Sequence, residues 1–227
     1  MALRGHQGYY VTGTDTGVGK TFACVALLHA FRASGRSAVG MKPVASGCID
    51  TPEGLRNDDA LALQRASSTA PKYELVNPFA LPEPTAPQIA ATLSGIIVSL
   101  PPMVGAYRTL AGQADVVVVE GVGGWLAPLA DGLEQSALAA ALGVPVLLVV
   151  AVKLGCLSHA RLSVRAIRAD GLPLAGWIGN ATEADFPHAA AYRDLLERAI
   201  DAPCLGFLPY RAGPENGTVP AALRLPA

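Results

Sequence analysis

An α/β fold, built on a doubly wound, mostly parallel sheet with helices on both faces, follows from three features of the sequence. Short apolar runs, rich in β-branched residues, alternate with segments whose apolar residues recur at helical spacing. The runs are continuously apolar, as in DVVVVE over residues 115–120, which suits strands covered on both faces. Several runs end in a glycine turn that leads into a helix, beginning with GYYVTGTDTGVGKTFACVALL over residues 8–28. In open sheets of this kind ligands bind outside the carboxyl ends of the strands, so the chemistry is expected along one edge.

Taken in order, Tyr9, Tyr10 and Val11 form the first strand, and the helix after the turn opens on Gly19, Lys20 and Thr21 and ends near Ser34 and Gly35. Residues 37–41 form a second strand that runs into KPVASG, residues 42–47. Residues 51–65 read as a polar loop entering a helix, with Asn57 or Asp58 as its N-cap. Residues 72–102 are broken by Pro78, Pro82, Pro84 and Pro87 and read as an ordered excursion with one short helix near 88–93, or as a lid. A helix over 103–114 precedes the strand 115–120, and Gly121, Val122, Gly123, Gly124 and Trp125 read as a flexible turn where backbone approaches a ligand. Helices over 135–142, 158–169 and 189–200 then alternate with strands over 145–152, 172–180 and 204–208. The remainder, to Ala227, has no periodicity.

The first glycine turn has the chemistry of a phosphate loop. Gly13, Gly17 and Gly19 allow positive φ and close backbone approach, so that consecutive N–H groups and the helix N-terminus face an anion. Lys20 then reaches the terminal phosphates, and the Thr21 hydroxyl is placed for the accompanying Mg²⁺. The usual pattern has a glycine at the position held here by Thr14; Gly13 precedes it by one residue. At other strand ends stand Lys42 with Ser46, Glu120, and Lys153 followed by Leu154, Gly155, Cys156, Leu157 and Ser158 at a second helix start. A carboxylate such as Glu120 beside a phosphate loop suits nucleotide-bound Mg²⁺. No Ser-His-Asp or Cys-His pattern is present, and none of His6, His29, His159 and His188 ends a strand. Phosphoryl transfer, which needs positioning and cations rather than a protein nucleophile, fits this inventory.

Composition narrows the partners. The 227 residues are 51% hydrophobic, enough for one domain over 1–227 with a sizeable core. A formal net charge of −1 argues against a nucleic-acid or acidic-membrane surface. No apolar run approaches the roughly 18 residues of a membrane span. Charged residues are only 15%, which points to an apolar surface suited to a subunit contact. Cys24, Cys48, Cys156 and Cys204 are scattered and read as reduced thiols of a cytoplasmic protein.

GTDTGVGKT, KPVASG, TPEGLRNDDALAL, VVVEGVGGW, VKLGC and AGWIGN, in this order, resemble the dethiobiotin synthetases over nearly the whole chain. The resemblance implies a P-loop NTPase fold and a cytoplasmic homodimer. It also implies an ATP- and Mg²⁺-dependent cyclo-ligase that turns 7,8-diaminononanoate and CO₂ or bicarbonate into dethiobiotin, ADP and phosphate. Its catalytic lysine matches Lys42, and its substrate-binding serine Ser46. Its Mg²⁺ ligands match Thr21, Asp59 and Glu120. The phosphate loop matches Gly17, Val18, Gly19, Lys20, Thr21 and Phe22, with Thr16 and Lys20 near the γ-phosphate. Adenine and ribose recognition matches Asn180 with the adjoining Ala181, the turn Pro209, Tyr210 and Arg211, and Glu215. The substrate carboxylate is held across the dimer by a helix N-terminus, here Leu154, Gly155, Cys156 and Ser158, and by Tyr192. Some relatives have an acid at Gly17, an asparagine at Ser158 and an aspartate at Ala181. The alternative is a nucleotide-dependent switch ATPase of the partitioning or metal-insertion type, whose extra lysine early in the loop is replaced here by Thr14 and Asp15.

Overall fold

The structure, a computed structural model, describes residues 7–211 and 223–226. The first half runs β1 (Gln7–Gly13), α1 (Lys20–Ala33), β2 (Ala38–Met41), β3 (Val44–Ala45), β4 (Ile49–Thr51), β5 (Gly54–Arg56), α2 (Asp58–Ala66), α3 (Tyr73–Val76), β6 (Phe79–Ala80), α4 (Pro87–Ser94) and α5 (Leu100–Ala111). The second runs β7 (Val116–Gly124), β8 (Pro128–Ala130), β9 (Leu133–Glu134), α6 (Gln135–Leu142), β10 (Val146–Ala151), α7 (Cys156–Ala169), β11 (Leu174–Asn180), α8 (Ala189–Ala199) and β12 (Cys204–Leu208).

Six strands form the main sheet in the order β12-β11-β10-β1-β7-β2, and every pairing is parallel. All carboxyl ends therefore lie on one edge. The strands lack polar alternation because both faces are covered: Val116, Val118, Leu147 and Val149 enter a core under α1 and α2, while Val117, Val119, Leu148 and Val150 enter a second core on the other face. In the first core Phe31 is fully buried and stacks on Tyr9, ring centroids 5.8 Å apart.

Register decides which side chains meet at the edge. Val11 pairs with Glu120, and Met41 pairs with Val119, so Lys42, one residue on, emerges beside Glu120. The structure departs from the expected turn at 121–125: β7 continues to Gly124, which pairs with Gly13 after a register shift. Small residues on both chains allow that approach, and Gln135 holds the extended segment in place. The fully buried Gln135 accepts from Val122 N and Tyr10 Oη through Oε1, and donates through Nε2 to Thr12 Oγ1 and the Gly124 carbonyl.

Two hairpins, β4–β5 and β8–β9, lie outside the sequence expectation. Helix α5 starts at Leu100 rather than 103 because Pro101 and Pro102 sit in its first turn, where a missing N–H leaves no bond unmade. Helix α7 likewise starts at Cys156, two residues early, on the left-handed Gly155. In the proline-rich stretch α3 and β6 precede the expected helix, and β6 pairs in parallel with β3 through Val44–Phe79 and Ala45–Ala80.

Candidate active site

The phosphate loop closes on helix α1 without a side-chain cap, so the first-turn N–H groups stay directed at the loop's concavity. Gly17 and Gly19 have φ of 72° and 87°. Gly19 is doubly required, because a Cβ there would also collide with the Asn180 amide. Lys20 Nζ donates to the Asp15 carbonyl at 2.9 Å, and Thr16 N donates to Asp15 Oδ1 at 2.7 Å.

Across the loop, Lys42 is the hub. Its Nζ donates to Glu120 Oε1 at 2.5 Å and to Asp59 Oδ2 at 3.0 Å. Helix α2 brings Asp59 there, and its N-cap is Asn57, whose side chain accepts from Asp59 N and Ala60 N. The Thr21 hydroxyl donates to Glu120 Oε1 at 2.9 Å. Lys42 and Glu120 are buried, whereas the Asp59 side chain is 45% exposed.

These contacts set the charges. Burial works against the Lys42 ammonium, but Glu120 and Asp59 outweigh it and raise its pKa above the ordinary lysine value. Burial raises Glu120 despite the opposing pull of Lys42. Asp59 also feels burial, yet Lys42 holds its carboxyl below the usual value. Lys20, without an equivalent carboxylate partner, is lowered to about 8 by burial and then by the Lys42 charge.

A cavity of about 410 Å³ joins these groups, lined by Thr16, Lys20 and Thr21 of the phosphate loop and α1 together with Lys42, Ser46, Asp59 and Glu120. Val122 and Gly123 complete its rim; Gly121 is buried behind it, where a Cβ would strike Gln135. A second cavity, about 250 Å³, shares Gly17 and Phe22 with the first and gathers Asn180, Ala181, Pro209, Tyr210 and Arg211. Arg211 covers the Phe22 ring at 4.7 Å. Asn180 donates through Nδ2 to the Val18 carbonyl at 2.9 Å, and its buried Oδ1 has no partner.

The donor set fits a divalent cation. Glu120 Oε2 is buried without a hydrogen-bond partner, and the Thr21 hydroxyl and Asp59 carboxylate stand beside it. Oxygen ligands of this kind suit Mg²⁺, which normally keeps waters and shares its sphere with substrate phosphates. Among the described residues no group of three or more His, Cys, Asp or Glu would hold a metal ion by itself. The phosphates of a nucleotide are what would complete the sphere.

Leu154, Gly155, Cys156 and Ser158 are not brought to either cavity; they form the start of α7, with Leu154 exposed and Cys156 buried. Tyr192, on α8, packs edge-on against Phe186. Glu215 lies outside the described residues. Sequence reasoning missed Gln135, which carries no motif, and left Asn57 as one of two possible caps.

The chain matches the family model described as AAA domain over residues 7–217. Over 221 residues it is 52% identical to "ATP-dependent dethiobiotin synthetase BioD" of Xanthomonas axonopodis pv. citri, spanning 97% of this chain and 99% of that one. The chain belongs to the ATP-dependent dethiobiotin synthetase family. As a family member it is an enzyme, and its fold is shared more widely. The MinC:MinD cell division protein complex of Aquifex aeolicus superposes with a TM-score of 0.54 at 14% identity, over 90% of this chain and 82% of that one. A ParA family ATPase from Chlorobium tepidum gives 0.53 at 15% identity, over 90% and 85%. These two likenesses show the P-loop architecture alone. Among the described residues no helix is long and apolar enough to cross a membrane.

Proposed function

We infer that this synthetase-family enzyme uses ATP and Mg²⁺ to carboxylate 7,8-diaminononanoate with CO₂ or bicarbonate and close it to dethiobiotin, releasing ADP and phosphate. The observation that carries the reading is Lys42, a buried ammonium held by Glu120 and Asp59 in the lining of a cavity that the phosphate loop also lines.

One substrate amine, as its carbamate, attacks the γ-phosphorus of ATP through a carbamate oxygen. The bond to the β–γ bridging oxygen breaks, ADP leaves, and a carbamic-phosphoric anhydride results. The second amine then attacks the carbonyl carbon, phosphate departs with the C–O bond, and the amine's proton is lost as the cyclic urea forms. The first step brings an anion to an anion. Lys42 and Lys20 offset that repulsion, and one preorganised group of this kind is worth about 10²–10³ in rate. Thr16, within the loop, is assigned to the γ-phosphate. Thr21, Asp59 and Glu120 would hold Mg²⁺, which when bound neutralises charge on the phosphates.

Ser46 lines the same cavity and is assigned to the diamine end of the substrate. The unpartnered Asn180 Oδ1 is an acceptor for the exocyclic amine of adenine, with the second cavity as the base site. Ala181, Pro209, Tyr210 and Arg211 complete that site, and Glu215 is assigned to the ribose. The start of α7 and Tyr192 serve the substrate carboxylate from the second subunit of a homodimer. The exposed Leu154, just before that helix, and Leu162 on it support a subunit contact. Free cysteines support a cytoplasmic setting.

Omission experiments test the reading. ADP release from purified protein with Mg-ATP, diamine and bicarbonate should collapse when either the diamine or bicarbonate is left out. Equal ADP release without them would favour a switch ATPase instead.

A further inference from the structure

Beneath the site, a closed circuit of hydrogen bonds starts at the main chain of Lys42 and returns to its side chain. The Lys42 N–H donates to the Val76 carbonyl at 2.7 Å, and the Lys42 carbonyl accepts from Asn77 Nδ2 at 2.7 Å. Tyr73 Oη donates to Asn77 Oδ1 at 3.2 Å and accepts from Asn57 N at 2.8 Å. Asn57 Oδ1 accepts from Asp59 N at 3.1 Å, and Asp59 Oδ2 accepts from Lys42 Nζ. Asn57 Nδ2 also reaches the Ser46 carbonyl at 3.3 Å.

We propose that Tyr73 and Asn77 are positioning residues that fix the Lys42 ammonium relative to Asp59 and Ser46. The inference rests on the synthetase reading above. Lysine has four side-chain torsions, so the place of its ammonium depends on both where its backbone is anchored and where its carboxylate partner stands. Asn77 sets the first and, through Tyr73 and Asn57, the register of α2 that sets the second. Both are buried, and Arg56 covers the Tyr73 ring at 4.2 Å, leaving the hydroxyl little freedom to find other partners. Neither residue lines the catalytic cavity. A bond lost here acts through geometry, and a displacement of about 1 Å can cost about a hundredfold in rate.

The test is a cycle of Tyr73→Phe and Lys42→Ala, read by formation of dethiobiotin from labelled bicarbonate and by ATP binding. Tyr73→Phe keeps the ring and its stacking and removes one hydroxyl. It should lower kcat about tenfold while the Kd for Mg-ATP stays within about twofold, and its effect should shrink below about twofold in the Lys42→Ala background, because coupled residues are not additive. Asn77→Ser, which removes the amide and with it the bonds to the Lys42 and Phe79 carbonyls and the acceptor for Tyr73, should behave likewise and serves if Tyr73→Phe does not fold. Competitive acetylation with acetic anhydride, read at Lys42 by mass spectrometry, gives a measure independent of turnover: the variant should label several-fold faster than wild type. An unchanged kcat, an equal loss in both lysine backgrounds, or unchanged Lys42 labelling would overturn the proposal. If wild type forms no dethiobiotin, the functional reading fails and the acetylation rates still decide whether the circuit holds Lys42.

Discussion

Lys42 Nζ and Glu120 Oε1 form an ion pair whose side chains are 5% and 1% exposed. Neither charge is tolerable alone at that depth, and each is placed by a neighbouring parallel strand. Removing one partner of a buried pair costs about 3–5 kcal/mol. In Glu120→Gln the lysine keeps Asp59, so unfolding by denaturant should show a loss near the lower bound, about 3 kcal/mol. The same variant loses a charged oxygen from the proposed Mg²⁺ ligands. Since hydrogen bonds and contacts to charge are worth about 1.5–3 kcal/mol, the Mg²⁺ midpoint for ATP binding should rise about tenfold or more. An unaltered Mg²⁺ titration would remove Glu120 from the metal site.

Lys42→Ala separates binding from chemistry. It lines the same cavity as the phosphate loop. We expect kcat to fall about 10²-fold or more with a much smaller change in ATP Kd, the signature of a group that acts in the transition state. Steady-state kinetics beside equilibrium ATP titration measure both quantities.

The pH dependence of ATP binding should follow Lys20. Its pKa of about 8 in the free protein lies below the ordinary lysine value, because burial and then the Lys42 charge disfavour the ammonium. Below that pH Lys20 already carries its proton when phosphate arrives. Above it, binding must take up a proton, so affinity should fall by up to about tenfold per pH unit. Titration calorimetry above pH 8 in buffers of different ionisation enthalpy reads the proton uptake directly. A Kd that stays flat to about pH 9.5 would contradict the assignment.

Gly19→Ala tests the loop's backbone. At φ 87° any side chain is strained, by about 1–3 kcal/mol, and the added methyl meets the Asn180 amide that braces Val18. The variant should lose both thermal stability and ATP affinity, whereas Gly17→Ala, which has the strain but nothing within 4 Å of the new Cβ, should lose less stability.

Much of this site was legible from local pattern. The phosphate loop, the lysine after the second strand and the acid at the end of DVVVVE all sit where strand periodicity and the parallel sheet place them. The parts that were not legible depend on partners far apart in sequence. Gln135 joins Thr12 across 123 positions, and no motif marks an amide whose role is to satisfy four groups at once. Tyr73 and Asn77 sit in a four-residue helix and the residue after it, too short for a period to register, inside a stretch whose prolines read as an ordered excursion with one short helix near 88–93, or as a lid. The stretch is ordered, and it anchors the Lys42 backbone through Val76 and Asn77. Two-residue strands such as β3 and β6 are likewise fixed by tertiary pairing rather than propensity.

The most direct measurement follows labelled bicarbonate into acid-stable product in the presence of Mg-ATP and 7,8-diaminononanoate, comparing wild type with Lys42→Ala. The account predicts one label per ADP in a cyclic urea for wild type, and about a hundredfold slower incorporation in the variant with ATP binding retained. ADP release with no label in any product, or equal incorporation in both proteins, would contradict it.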